Sequence, residues 1–280
     1  MMIFSWTASS LRTTLGSVIR LLAAFAATFA LAAPAHAATP GLTHVQRIRA
    51  DKLVSQFENS TSVIQYCYVE ALDDGRGYTV GRAGFTSATG DLLEVAELYT
   101  HAVPENPLAD LLPRLRELAA ANDGSTDGLE PLPQAWADTC HDKRQRRIQD
   151  GVVDKEYYNP AVRHWRKLGL RRPLSLAAIY DAEIQHGDGD DPDGVPAMLK
   201  RAAKRAHGTP KTKVSEAKVL RAFIHVRRAT LAHAHDPSTR AAWAQTVHRA
   251  DAWRYLLDTG QWQLSSPIRV HSPDYELTIR

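Results

Sequence analysis

Between Gln65 and Phe85 the chain abandons the helical spacing that governs most of the rest of it, and this interruption limits the folds open to it. Gln65 to Leu72 and Gly77 to Phe85 are short and rich in β-branched and aromatic residues, with Asp73-Asp74-Gly75 as a turn signal between them. A small antiparallel sheet is expected there. Upstream, Leu42, Val45, Ile48, Leu53, Val54 and Phe57 recur at helical spacing, with Thr43 or Thr39 as cap and Asn59-Ser60-Thr61 as stop. Downstream the pattern predicts helices over Leu92–His101, Leu108–Ala121 with Pro113 as a kink or break, Trp136–Val152, Pro160–Leu168, Leu174–His186, Val195–His207, Val214–His233 and Ser238–Leu257. Asn122 to Pro133 reads as a loop, and the segment from Gly260 as irregular structure ending in a short strand. With no internal repeat and no long linker, the chain is expected to be mainly α, an α+β fold in one folding unit.

Residues 1–37 carry Arg12 and Arg20, no acidic residue, an apolar run from Leu21 to Ala33 and the small-residue pattern Ala35-His36-Ala37. This predicts a secretory signal cleaved after Ala37, leaving 38–280 as the catalytic domain, delivered to the medium or the periplasm with no membrane attachment. Removing Arg12 and Arg20 leaves 32 basic side chains against 31 acidic ones, so the field of the whole molecule argues for neither nucleic acid nor membrane. The basic run Lys143-Arg144-Gln145-Arg146-Arg147 lacks interleaved aromatic residues and reads as a solvated helix face. Cys67 and Cys140, the only two cysteines, would enter an oxidising compartment as an even pair, which favours a disulfide over two separate buried thiols.

The chemistry-bearing stretch is Glu58 to Asp91. Glu58 closes the first helix beside Phe57, and Asp74 lies sixteen positions later in a glycine-rich turn. A carboxylic acid in apolar surroundings can stay protonated while one in a polar turn stays ionised, and glycoside hydrolysis is the reaction that most often uses such a pair and nothing else. The run Asp188 to Gly194 is out of register for a calcium loop, because Pro192 stands where a ligand is needed. His225, His233 and His235 have poor spacing for zinc, and no G-x-S-x-G elbow is present. No cofactor and no metal are expected.

The blocks ENST (58–61), DDGRGYT (73–79) and GFTSATGD (84–91), followed by IYDAEIQHG around Asp181, VRRATLA around Arg227, HAHDPSTR from His233 to Arg240 and the terminal PDYEL, resemble the glycoside hydrolase family 46 chitosanases. The resemblance covers nearly all of the chain after residue 37. It implies a lysozyme-like fold with two helical lobes and a small antiparallel sheet flanking a substrate cleft. It further implies endo-hydrolysis of β-1,4 bonds between glucosamine units of chitosan, with inversion, by a monomer. Under it Glu58 is the acid, Asp74 the base, and Thr79 places the attacking water. Tyr68 and Arg76 line the cleft, Asp91 binds a glucosamine amine, and His235 and Asp236 bind substrate. Asp181, Arg227 and Arg240 form a charged network beneath the acid. A peptidoglycan-active muramidase and a non-catalytic polysaccharide-binding protein are the alternatives.

Overall fold

The first helix, α1 (His44–Asn59), begins where Thr43 accepts from the Gln46 amide while Gln46 reaches back to the Thr43 backbone, a reciprocal cap that satisfies two otherwise orphaned donors. It ends where Ser60 turns left-handed at φ 55°. Leu53 and Val54 face the core. The computed structural model describes residues 41–72 and 75–280; the expected export signal at 1–37 and the carboxylates Asp73 and Asp74 lie outside the described residues.

Strands β1 (Val69–Ala71), β2 (Tyr78–Val80) and β3 (Phe85–Thr86) form an antiparallel sheet in that order, with Glu70 opposite Thr79 and Val80 opposite Phe85. They are shorter than the sequence suggests, because residues 65–67 give their hydrogen bonds elsewhere. The Tyr66 carbonyl accepts from Trp136 Nε1 and Gln149 Nε2, which replaces a strand ladder with side chains of two later helices. Cys67 is bonded to Cys140, pinning the same segment. Closing a loop with a sequence separation of 73 residues removes about 4 kcal/mol of unfolded-chain entropy. At Gly77, with φ 73°, an added Cβ would meet Ser87 Oγ at 2.1 Å. A Cβ on Gly124, in the following loop, would stand 2.0 Å from the Gly75 carbonyl oxygen, so loop and turn touch backbone to backbone.

The remaining helices are α2 (Asp91–Ala102), α3 (Leu112–Ala121), α4 (Leu132–Thr139), α5 (Lys143–Val153), α6 (Asn159–Leu168), α7 (Pro173–His186), α8 (Val195–Ala206), α9 (Glu216–Ala232), α10 (Pro237–Ala244) and α11 (Val247–Asp258). Pro113 sits in the first turn of α3, where its missing N–H leaves no bond unmade, so it starts a helix instead of kinking one. The helix expected over 136–152 is two: Asp142 takes an extended backbone and caps α5 by accepting from the Arg144 amide. The helix expected over 238–257 also divides, at Gln245-Thr246. The Thr246 hydroxyl donates to the Trp243 carbonyl and accepts from Gln185 of α7. The segment from Gly260 holds a full hairpin, β4 (Ile268–Ser272) and β5 (Tyr275–Ile279), with Ile268, Val270 and Ser272 turned inward.

Helix α7 is the axis of the fold. Its residues Leu174 to Glu183 are all buried, and it packs against α1, α6, α8 and α11. Residues from Pro40 onward hold together as one compact unit around a continuous apolar core. Among the described residues no helix is long and apolar enough to cross a membrane.

Candidate active site

Helix α1 delivers Glu58 one residue before its end, to the rim of a cleft of about 430 Å³. Phe57 fixes that helix end, its ring edge-on to Tyr275 at 4.8 Å and to Trp253 at 6.0 Å. The Glu58 carboxylate is 38% exposed on the cleft side, and on the other it accepts from the Arg249 guanidinium. Arg249 is buried and also grips Asp181, with Nη2 to Oδ1 at 2.7 Å and Nε to both oxygens at 3.1 Å. Asp181, fully buried on α7, accepts further from Arg227 and from Trp253 Nε1 at 2.7 Å. Burial alone would raise the Asp181 carboxyl, but Arg249 and Arg227 outweigh it and hold the group down to about 2. Arg227 is held in turn by Gln185 Oε1 at 2.7 Å.

This arrangement corrects one sequence assignment. Arg240 does not reach Asp181: it donates to the Ala234 and His235 carbonyls, closing the turn before α10. The second guanidinium of the network is Arg249. A signal for it was present, since Arg249 stands four residues before Trp253 and seven before Leu256, all three buried along one stripe of α11.

The other wall comes from the sheet and the start of α2. Tyr68, Arg76, Thr79 and Asp91 all line the cleft with Glu58, joined by Tyr157. Thr79 Oγ1 is buried and has no hydrogen-bond partner. Tyr68 donates its hydroxyl to Glu70 at 2.7 Å. Asp91 uses one carboxylate oxygen to accept from the Thr86 amide, the Thr89 hydroxyl and the Leu92 amide; burial raises its carboxyl and these bonds offset part of that rise. Burial, with Asp91 nearby, pushes the Tyr157 hydroxyl up to about 12. Leu72 lines the cleft, and the next two residues in sequence, Asp73 and Asp74, lie outside the described residues.

Sequence reasoning missed the cleft floor. Asp51 accepts from Arg82 Nη2 at 3.0 Å, Arg47 Nε at 3.1 Å and the Tyr180 hydroxyl at 2.8 Å, and Arg82 also pairs with Asp150. Burial raises the Tyr180 hydroxyl further, so it acts as a donor. Asp51, Arg82 and Tyr180 all line the cleft from below.

His235 and Asp236 are not among the cleft-lining residues. Asp236 caps α10 through the Ser238 amide and hydroxyl, which lowers its carboxyl, and its own amide donates to Asp193 at 3.0 Å. The acidic run after α7 is occupied locally: Asp191 accepts from the Asp193 amide, and Asp188 pairs with Arg163.

A mainly helical chain with a small sheet, an acid on a helix end and a polar cleft between them defines the lysozyme-like class of glycan hydrolases. The chain belongs to glycosyl hydrolase family 46, whose sequence model matches residues 52–268. It is 47% identical over 235 residues to a chitosanase of Bacillus subtilis strain 168, covering 84% of this chain and 85% of that one. Among solved structures it is similar to a GH46 chitosanase of Gynuella sunshinyii in complex with chitotetraose, at 45% identity and TM-score 0.78, covering 85% of this chain and 99% of that one. It is also similar to a mutant chitosanase of Bacillus subtilis MY002 complexed with six GlcN units, at 46% identity and TM-score 0.79, covering 86% and 100%.

Proposed function

We propose that this chain is an exported chitosanase that cleaves β-1,4 bonds between glucosamine units inside the polymer, with inversion. The observation that carries the reading is the seat of Glu58: its carboxyl faces the cleft while the guanidinium behind it already answers to the buried Asp181. Glu58 gives its proton to the departing glycosidic oxygen. Asp74, which falls in sequence between the cleft-lining Leu72 and Arg76, takes a proton from the water that attacks the anomeric carbon from the opposite face. The unpartnered Thr79 hydroxyl supports a role in holding that water. Asp91, in the cleft wall, offers a carboxylate to a glucosamine ammonium, and a polycation is the substrate to which a carboxylate-lined cleft in a near-neutral protein is suited. The similar structures are complexes with chitotetraose and with six GlcN units, which supports the same substrate class here. Export rests on the charge and apolar pattern of residues 1–37.

Viscometry of a chitosan solution tests the activity: a steep early loss against slow reducing-end release is expected for internal cleavage. Clearing of cell walls without chitosan shortening would instead assign a muramidase, and chitosan binding without shortening a binding protein. NMR of fresh product should show the α-anomer first; β-anomer first would overturn inversion.

A further inference from the structure

Away from the cleft, α6 and α7 enclose a group of three side chains that the hydrolytic reading does not use. Glu183 of α7 is fully buried, and both of its carboxylate oxygens lack a hydrogen-bond partner. Facing it are His164 of α6, whose Nε2 is 3.7 Å from Glu183 Oε1, and Asp188, just past the end of α7, whose Oδ1 is 2.5 Å from the same Nε2. One ligand atom from each of the three lies within 4.8 Å of the other two, and none of the three residues lines the cleft.

A buried carboxyl group has two ways to be satisfied, and neither is met at Glu183. Ionised, it needs a cation or several donors; neutral, its O–H needs an acceptor. Arg163 binds the far oxygen of Asp188 at 2.8 Å and makes no hydrogen bond to Glu183.

We propose that His164, Glu183 and Asp188 form a binding site for one divalent transition-metal ion, with zinc the best fit, that fastens α6 to the end of α7. One imidazole and two carboxylates make a three-ligand set of borderline hardness, which suits zinc and disfavours calcium. Ligands about 2.0–2.1 Å from a tetrahedral ion stand about 3.3 Å apart. The His164–Glu183 spacing is already near that value, and His164 and Asp188 must separate by roughly 1 Å around the ion. Asp188 lies in a loop and its side chain is 31% exposed, so it can yield and leaves an entry path and a fourth position for water. The ion would also steady the 187–194 loop, whose Asp193 holds the Asp236 amide.

The test uses the untagged chain stripped with a chelator and titrated calorimetrically with zinc chloride, with manganese and calcium chlorides in parallel, alongside thermal unfolding. One saturable zinc equivalent and a raised unfolding midpoint are expected. His164→Gln, Asp188→Asn and the near-isosteric Glu183→Gln should each weaken zinc by at least about tenfold and remove the midpoint shift. If Glu183→Gln does not fold, the two more exposed variants carry the test. Absence of a saturable equivalent in the unaltered chain, wild-type affinity in any variant that folds, or tighter binding of calcium than zinc would each overturn the assignment.

Discussion

Two buried ion clusters lie beneath the same cleft, and they are built to different ends. The one around Asp51 is closed off from the cleft acid: Arg82, Arg47 and Tyr180 all converge on a single carboxylate, and the partly exposed Asp150 and Asp154, which do not line the cleft, take up the remaining arginine contacts. The one around Asp181 is left open at one corner, where Arg249 continues outward to a carboxylate facing solvent. A closed cluster fixes geometry; an open one hands its charge state to whatever stands at the opening. Desolvated charges are expensive unless fully paired, so both clusters must be complete for the fold to hold, yet only the second is in contact with Glu58.

The contrast is sharpest at the opening itself. Glu58→Gln should lower turnover by about 10²–10⁴-fold while leaving the thermal midpoint almost unchanged, since an exposed amide keeps the helix end. Activity near wild type would remove Glu58 from the acid role. Next come the two hubs. Asp181→Asn and Asp51→Asn each leave buried guanidiniums without their counter-charge and should cost about 3–5 kcal/mol in denaturant unfolding. At temperatures where both remain folded, Asp181→Asn should lose turnover and alter the pH–rate profile far more than Asp51→Asn. Equal kinetic loss in the two would erase the distinction between an open and a closed cluster.

Acid titration reads the same hub. The Asp181 carboxyl is depressed on folding, from an ordinary 3.8 to about 2, so its stabilisation is present in full above about pH 4 and is lost as pH falls through about 2. A contribution of about 2 kcal/mol follows from that difference, and Asp181→Asn should flatten the unfolding curve in that window. The smallest effect belongs to Arg240→Ala. Losing two surface carbonyl contacts should change stability by under about 1 kcal/mol and turnover little, whereas Arg249→Ala should damage both.

How much of this was legible follows from where each residue sits. Glu58, Thr79 and Asp91 could be located because each stands at an element end or in a short strand whose local sequence announces it. Arg249 was passed over despite its spacing to Trp253 and Leu256, because residues 238–257 read as one helix. In a continuous helix, positions 240 and 249 lie nine residues and about 180° apart, so only one of them could face Asp181. The break at Gln245-Thr246 resets the phase, and the hydrogen bond that makes it comes from Gln185, sixty-one residues earlier. Asp51 and Arg82 escaped notice for another reason. A charged residue in a helical or turn pattern reads as solvated, and only the tertiary fold shows that each is the other's partner across the sheet. The paired cysteines were readable as a pair, but the segment they pin was read as strand because its hydrogen-bond partners belong to distant helices.

The Phe57–Tyr275 contact bears on the order in which the molecule can become competent. The helix end that presents Glu58 is braced by a strand more than two hundred residues later, and its guanidinium partner lies 191 positions away. Contacts of such separation are closed late, after the local helices have formed, because the chain must first surrender the freedom of the intervening loop. A nascent chain therefore carries every residue of the Glu58 motif without the seat of its carboxyl. The seat of Glu58 is complete only once β5 lies against α1.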